Sequence, residues 1–352
     1  MRLAAIFLWN LLAGFSAMLP AVCNAQGFPA ILRADPPKML SEFGFFEGAG
    51  ISRPLPGIRF YDLVTPLYSD RALKYRHVYV PAGQKAQFSA SEAFSFPVGT
   101  ALIKTFAYPA DFREPGKNIR LLETRLLLRQ MDGWHAAAYV WNDAQNDAEL
   151  KIAGKRFAVS FLDAEGKPVS FSYSIPNKNQ CKGCHSFNGE IAPIGPKARN
   201  LNKPSPVEGE VANQLEAWFK AGLVDVLPYP GAIEKAASMN DNAAPVELRA
   251  RTWLDVNCAH CHRREGPASN SGLFLAFDET DRVALGIGKR PVSAGRGAGA
   301  NEFDIVPGHP EKSILLSRVE STQPGVMMPE LGRNLADPAA VELLREWIAQ
   351  LQ

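Results

Sequence analysis

Apolar and polar residues alternate in short runs through the first half of the chain. From Ile51 to about Ile175 the pattern predicts strands. Ala101–Tyr108 and Ile119–Leu128 are rich in apolar and strand-forming residues, and Gln130-Met131-Asp132-Gly133 turns the second run back into Trp134–Trp141. Phe157–Leu162 and Val169–Tyr173, joined by Asp163–Lys167, predict another hairpin. The expectation for residues 51–175 is an antiparallel sandwich or barrel-like domain. Residues 26–50 precede it as an irregular lead-in, broken by Pro29, Pro36 and Pro37.

Helical spacing dominates later. Val207–Ala221 carries Val211, Leu215, Trp218 and Phe219 at helical intervals, with Gly222 as a stop. Residues 176–244 form one segment, ending in the polar link Ala236–Ala244. Residues 245–352 are predicted to open with a helix at Val246–Asn257 and to close with one at Pro338–Leu351. The fold expected overall is α+β, an antiparallel β-rich domain followed by a mainly helical one.

Met1-Arg2, the apolar run Leu3–Val22 and the small residues of Cys23-Asn24-Ala25 match a signal peptide over residues 1–25. An uncleaved anchor and lipidation at Cys23 are the alternatives. No other run reaches the roughly 18 apolar residues of a second span, so no membrane span is expected after signal removal. The 352 residues include 38 basic and 36 acidic side chains, a net charge of +2 that argues against a nucleic-acid binder.

Without residues 1–25, four of the five cysteines remain, and their placement carries the chemistry. Cys181-Lys182-Gly183-Cys184-His185 and Cys258-Ala259-His260-Cys261-His262 are both C-x-x-C-H, the attachment sequence of c-type haem. Two thiols three positions apart can each bond one vinyl group of the same porphyrin, and the following imidazole becomes the proximal iron ligand. At this chain's Cys and His frequencies, about 0.001 chance matches are expected. A zinc site from the two pairs would leave both trailing histidines without a role. The expected cofactors are therefore two haem c groups, and residues 245–352 suit a cytochrome c-like domain.

For the second haem, Gly325-Val-Met-Met-Pro-Glu-Leu-Gly332 offers Met328, directly before Pro329, as the sixth ligand. For the first, Met39, His77, Met131, His135, Met239 and His309 are the donors left, and no one of them stands out. Arg199 and Arg296 are candidate propionate contacts. No His-Glu-x-x-His or Gly-x-Ser-x-Gly sequence supports a hydrolase.

Several segments resemble a family of exported bacterial dihaem c-type cytochromes whose physiological role is largely unknown. They are Leu63-Val-Thr-Pro-Leu-Tyr-Ser-Asp70, Phe96–Thr100, Tyr139–Asn142, Asn179–Cys181, Leu254–His262 and Val326–Gly332. The resemblance implies two haems, a periplasmic or surface location and electron transfer with a redox partner. That partner would be a dehydrogenase or the parallel β-helix repeat protein often encoded beside family members. A single-electron relay is the leading expectation. A dihaem peroxidase-like enzyme, with an open iron at the first haem, is the alternative.

Overall fold

The computed structural model describes residues 27–207 and 210–352, and the expected signal peptide lies outside them. Strands β1 (Ile58–Tyr61), β2 (Leu73–Tyr79), β3 (Ala101–Pro109), β4 (Ile119–Gln130), β5 (Gly133–Trp141) and β6 (Ala148–Leu150) form one antiparallel sheet in chain order. A separate hairpin follows, β7 (Lys155–Leu162) and β8 (Pro168–Ile175). The architecture is thus an open six-stranded meander with elements laid on its faces.

Period-two alternation assigns those faces. One side carries Ile58, Tyr79, Ile103, Leu126, Leu128 and Tyr139, and the lead-in covers it with Ile31, Leu40, Phe43 and Phe45. The other side has two apolar ends. Phe106, Tyr108, Ala138 and Val140 pack under Val159, Phe161 and Tyr173 of the β7–β8 hairpin. Val78, Val80 and Leu102 pack under Leu201, Leu215 and Trp218. Those last residues belong to the segment after the hairpin, which runs α1 (Lys178–Cys184), β9 (Ser186–Phe187), β10 (Glu190–Ile191), α2 (Ala198–Leu201), β11 (Pro204–Val207), β12 (Glu210–Asn213) and α3 (Gln214–Lys220). Val207–Ala221 is therefore not one helix, because the stretch before Asn213 pairs as a strand and α3 starts only at Gln214.

The remaining helices are α4 (Val246–Asn257), α5 (Ile314–Glu320) and α6 (Pro338–Gln350), around a core of Trp253, Leu254, Ile305, Leu316, Leu344 and Trp347. The first and last match their sequence expectations. The mainly helical cytochrome c-like domain does not: the described chain is dominated by antiparallel sheet, with six short α-helices and 22% helix. The physical reason lies between α4 and α5. Gly272, Gly286, Gly288, Gly295, Gly299 and Gly308 all take positive φ, and each breaks helical propagation. No helix among the described residues is long and apolar enough to cross a membrane.

Candidate functional site

Each C-x-x-C-H segment sits at a helix end. Asn177 caps α1: its Oδ1 accepts from Gln180 N at 2.8 Å, and Gln180 Oε1 accepts from Asn177 N at 2.9 Å. This capping box starts the turn that carries Cys181 and Cys184. Cys258 ends α4, donating its N–H to Leu254 O, and His262 N closes a further turn onto Cys258 O at 2.9 Å.

The two segments face each other. The ligand atoms of Cys184, His260 and Cys261 all lie within 4.8 Å of one another, and Cys261 Sγ is 3.4 Å from Gly183 O. Asn188 N donates to Glu265 O at 2.9 Å, and the Arg263 guanidinium lies 4.7 Å from the Phe187 ring centroid. Arg263 also makes a two-pronged ion pair with Glu92, at 2.8 and 2.7 Å, which fastens the second segment to the loop before β3. The neighbouring Cys261 and His260 lower the Cys184 thiol, while Cys184 and burial raise Cys261. Burial pushes Cys258 up to about 12. A metal ion on Cys184, His260 and Cys261 would leave Cys181, Cys258 and both trailing histidines unused.

The trailing histidines are set in the tautomer that iron ligation requires. His185 Nδ1 lies 3.0 Å from Ala192 O. A carbonyl only accepts, so Nδ1 carries the proton and Nε2 keeps its lone pair. His262 Nδ1 is 3.3 Å from Ser271 Oγ, whose own proton goes to Ala268 O at 2.7 Å. Ser271 must therefore accept from His262, which gives the same tautomer. Burial lowers both imidazoles to about 4, keeping them neutral. A backbone or hydroxyl oxygen behind the ligating ring is the usual support of a metal-bound histidine, so the residues present fit the group.

A cleft open to solvent lies beside the first segment. Cys181, Cys184 and His185 form one wall, Arg76, Lys104 and Arg125 of the sheet form another, and Pro329, Leu331 and Arg333 close a third. None of Met39, His77, Met131, His135, Met239, His309 or Met328 lines it. His77 lies on the opposite side of β2 from Arg76, between the Phe46 and Phe60 rings. Met131 is exposed, His135 bonds Asp132, His309 bonds Glu311, and Met239 packs on the α4–α6 core.

The Met328 loop is held by its backbone. Met328 N donates to Arg318 O at 2.9 Å, and its carbonyl accepts from Arg333 Nε and Nη2 at 3.1 and 2.7 Å. Arg333 is buried and also binds the carbonyls of Val319 and Ser321 at the end of α5. Leu331 reaches Gly183, where a Cβ would stand 3.3 Å from Leu331 Cδ1, so the loop touches the first segment between its cysteines. Arg199 is buried against Asp255 and Phe277, and Arg296 donates to Pro324 O at the start of this loop. Both arginines are thus engaged by protein groups. Sequence reasoning missed Arg333 and the cationic wall of the cleft. The visible signal for the wall was a lysine, Lys104, inside an otherwise apolar strand.

No protein-family model, curated protein or solved structure matches this chain.

Proposed function

We propose that this chain is an exported electron carrier holding two haem c groups. Cys181, Cys184 and His185 would hold one, and Cys258, Cys261 and His262, with Met328 as sixth ligand, the other. Attachment adds each cysteine S–H across a vinyl C=C, with sulfur bonding one vinyl carbon and the hydrogen going to the other. Bound, each group supplies a reversible one-electron Fe(III)/Fe(II) couple. The chain's own residues fix the imidazoles through Ala192 O and Ser271 Oγ, and join the two attachment segments through Asn188 N to Glu265 O and through Arg263 on the Phe187 ring.

The observation that carries the relay reading is the approach of Cys184 and Cys261 to within 4.8 Å. Groups bonded through adjoining sulfurs exchange an electron directly, since transfer slows steeply with distance. The donor and acceptor are read as redox partner proteins in the periplasm or at the cell surface. Spectroelectrochemical titration of the holoprotein tests this. Two one-electron steps of unequal potential are expected, the higher at the His262 haem. A high-spin haem that binds cyanide rapidly would move the reading to a peroxidase-like enzyme, and a protein with no reducible visible spectrum would overturn both.

A further inference from the structure

Strand pairing sets Arg76 opposite Lys104, and Lys104 opposite Arg125, so one row across β2, β3 and β4 carries three cations. Side chains directly opposite stand about 4.5–5.5 Å apart at Cβ, where like charges repel. This row is not a solvated face. It lies between the two apolar ends of the sheet, with Leu102 on one side and Phe106 on the other, and all three cations line the cleft beside Cys181 and His185.

Counter-charge is short. Glu123 is fully buried and takes Arg125, at 2.8 and 2.5 Å, together with the Tyr173 hydroxyl. Asp62 is 3.5 Å from Arg76 but is half exposed and closer to Lys203, at 2.8 Å. Among the described residues no carboxylate forms an ion pair with Lys104, whose ammonium lies 5.0 Å from the Phe106 ring centroid. Arg76 is 4% exposed, and its Nη2 has no hydrogen-bond partner. A guanidinium nitrogen buried without a partner loses its hydration with nothing to replace it. Burial and the adjacent cations also hold Lys104 well below the ordinary lysine value.

We propose that this row is a carboxylate site, receiving anionic oxygens on Arg76 Nη2 and Lys104 Nζ. The first source rests on the haem reading and is the pair of propionates on the macrocycle bonded to Cys181 and Cys184. The second is a soluble carboxylate entering the open cleft. Arg199 and Arg296, engaged elsewhere, are not needed for either.

Holoprotein whose mass shows two haems is compared by resonance Raman with Lys104→Met, Arg76→Met and Lys104→Arg. If propionates occupy the row, the propionate bending bands of one haem shift in both methionine variants and return toward wild type in Lys104→Arg. If a soluble anion occupies it, those bands stay put. Acetate then gives a saturable optical change in the wild type, weakened at least tenfold in Lys104→Met. Unmoved bands together with no acetate response in a two-haem protein would overturn the carboxylate site and leave the haem reading standing. A chain that carries no haem would overturn the haem reading, and calorimetric titration with acetate would still decide the row.

Discussion

His77 is buried in the sheet and His185 is half-buried beside it, and their surroundings differ. Ala192 O behind His185 fixes its tautomer and leaves the Nε2 lone pair uncommitted. His77 has aromatic neighbours and an unpartnered Nδ1, so it is a core residue. Burial lowers its pKa from 6.5 to about 4. Between those values the unfolded chain holds a proton that the folded chain does not, so stability falls as pH drops through that window. The loss at the acid end is on the order of 3 kcal/mol. Urea denaturation of wild type and His77→Phe from pH 7 to 4 should show a shallower acid limb in the variant, whereas identical limbs would assign no role to burial of this ring. At this scale the two C-x-x-C-H groupings were legible because their members are adjacent in sequence. The Arg76–Lys104–Arg125 row was not, because it exists only once three strands separated by long loops pair in register.

Among the elements, the loop around Met328 is positioned by hydrogen bonds to its backbone. Arg318 O accepts from Met328 N, and Arg333 donates to Met328 O, so both backbone groups of Met328 are fixed. Met328→Leu should abolish the methionine–iron charge-transfer band and lower the potential of one haem, while Met327→Leu should leave the band intact. The reverse pattern would move the ligand to Met327, and a band surviving both would exclude the loop. Elements with strong local signals were legible, among them α4, α6 and the β4–β5 turn at Asp132-Gly133. The helical character of residues 245–352 was overestimated. Two good terminal helices say little about a middle whose positive-φ glycines require an irregular path. Val207–Ala221 misled for a related reason, since its apolar spacing served a strand pair followed by a short helix.

Across the whole molecule, contacts distant in sequence bind the sheet to the C-terminal part. Asp70 is buried and accepts from Asn334 N, Asn334 Nδ2 and Leu335 N, at 2.6–3.0 Å, and Tyr68 N donates to Asn257 Oδ1 at 2.7 Å. Arg263 adds the link to Glu92, and together these tie the second C-x-x-C-H segment and the stretch after the Met328 loop to the loops that flank β2. The segment Leu63–Asp70, conspicuous in sequence only as part of a resemblance, thus acquires a mechanical role. Whether both segments carry covalent haem is decided by the intact mass of the exported protein, alongside that of a Cys258→Ala/Cys261→Ala variant. The mature polypeptide plus two haems is predicted for the wild type and one haem for the variant. A wild-type mass with one haem or none would contradict it.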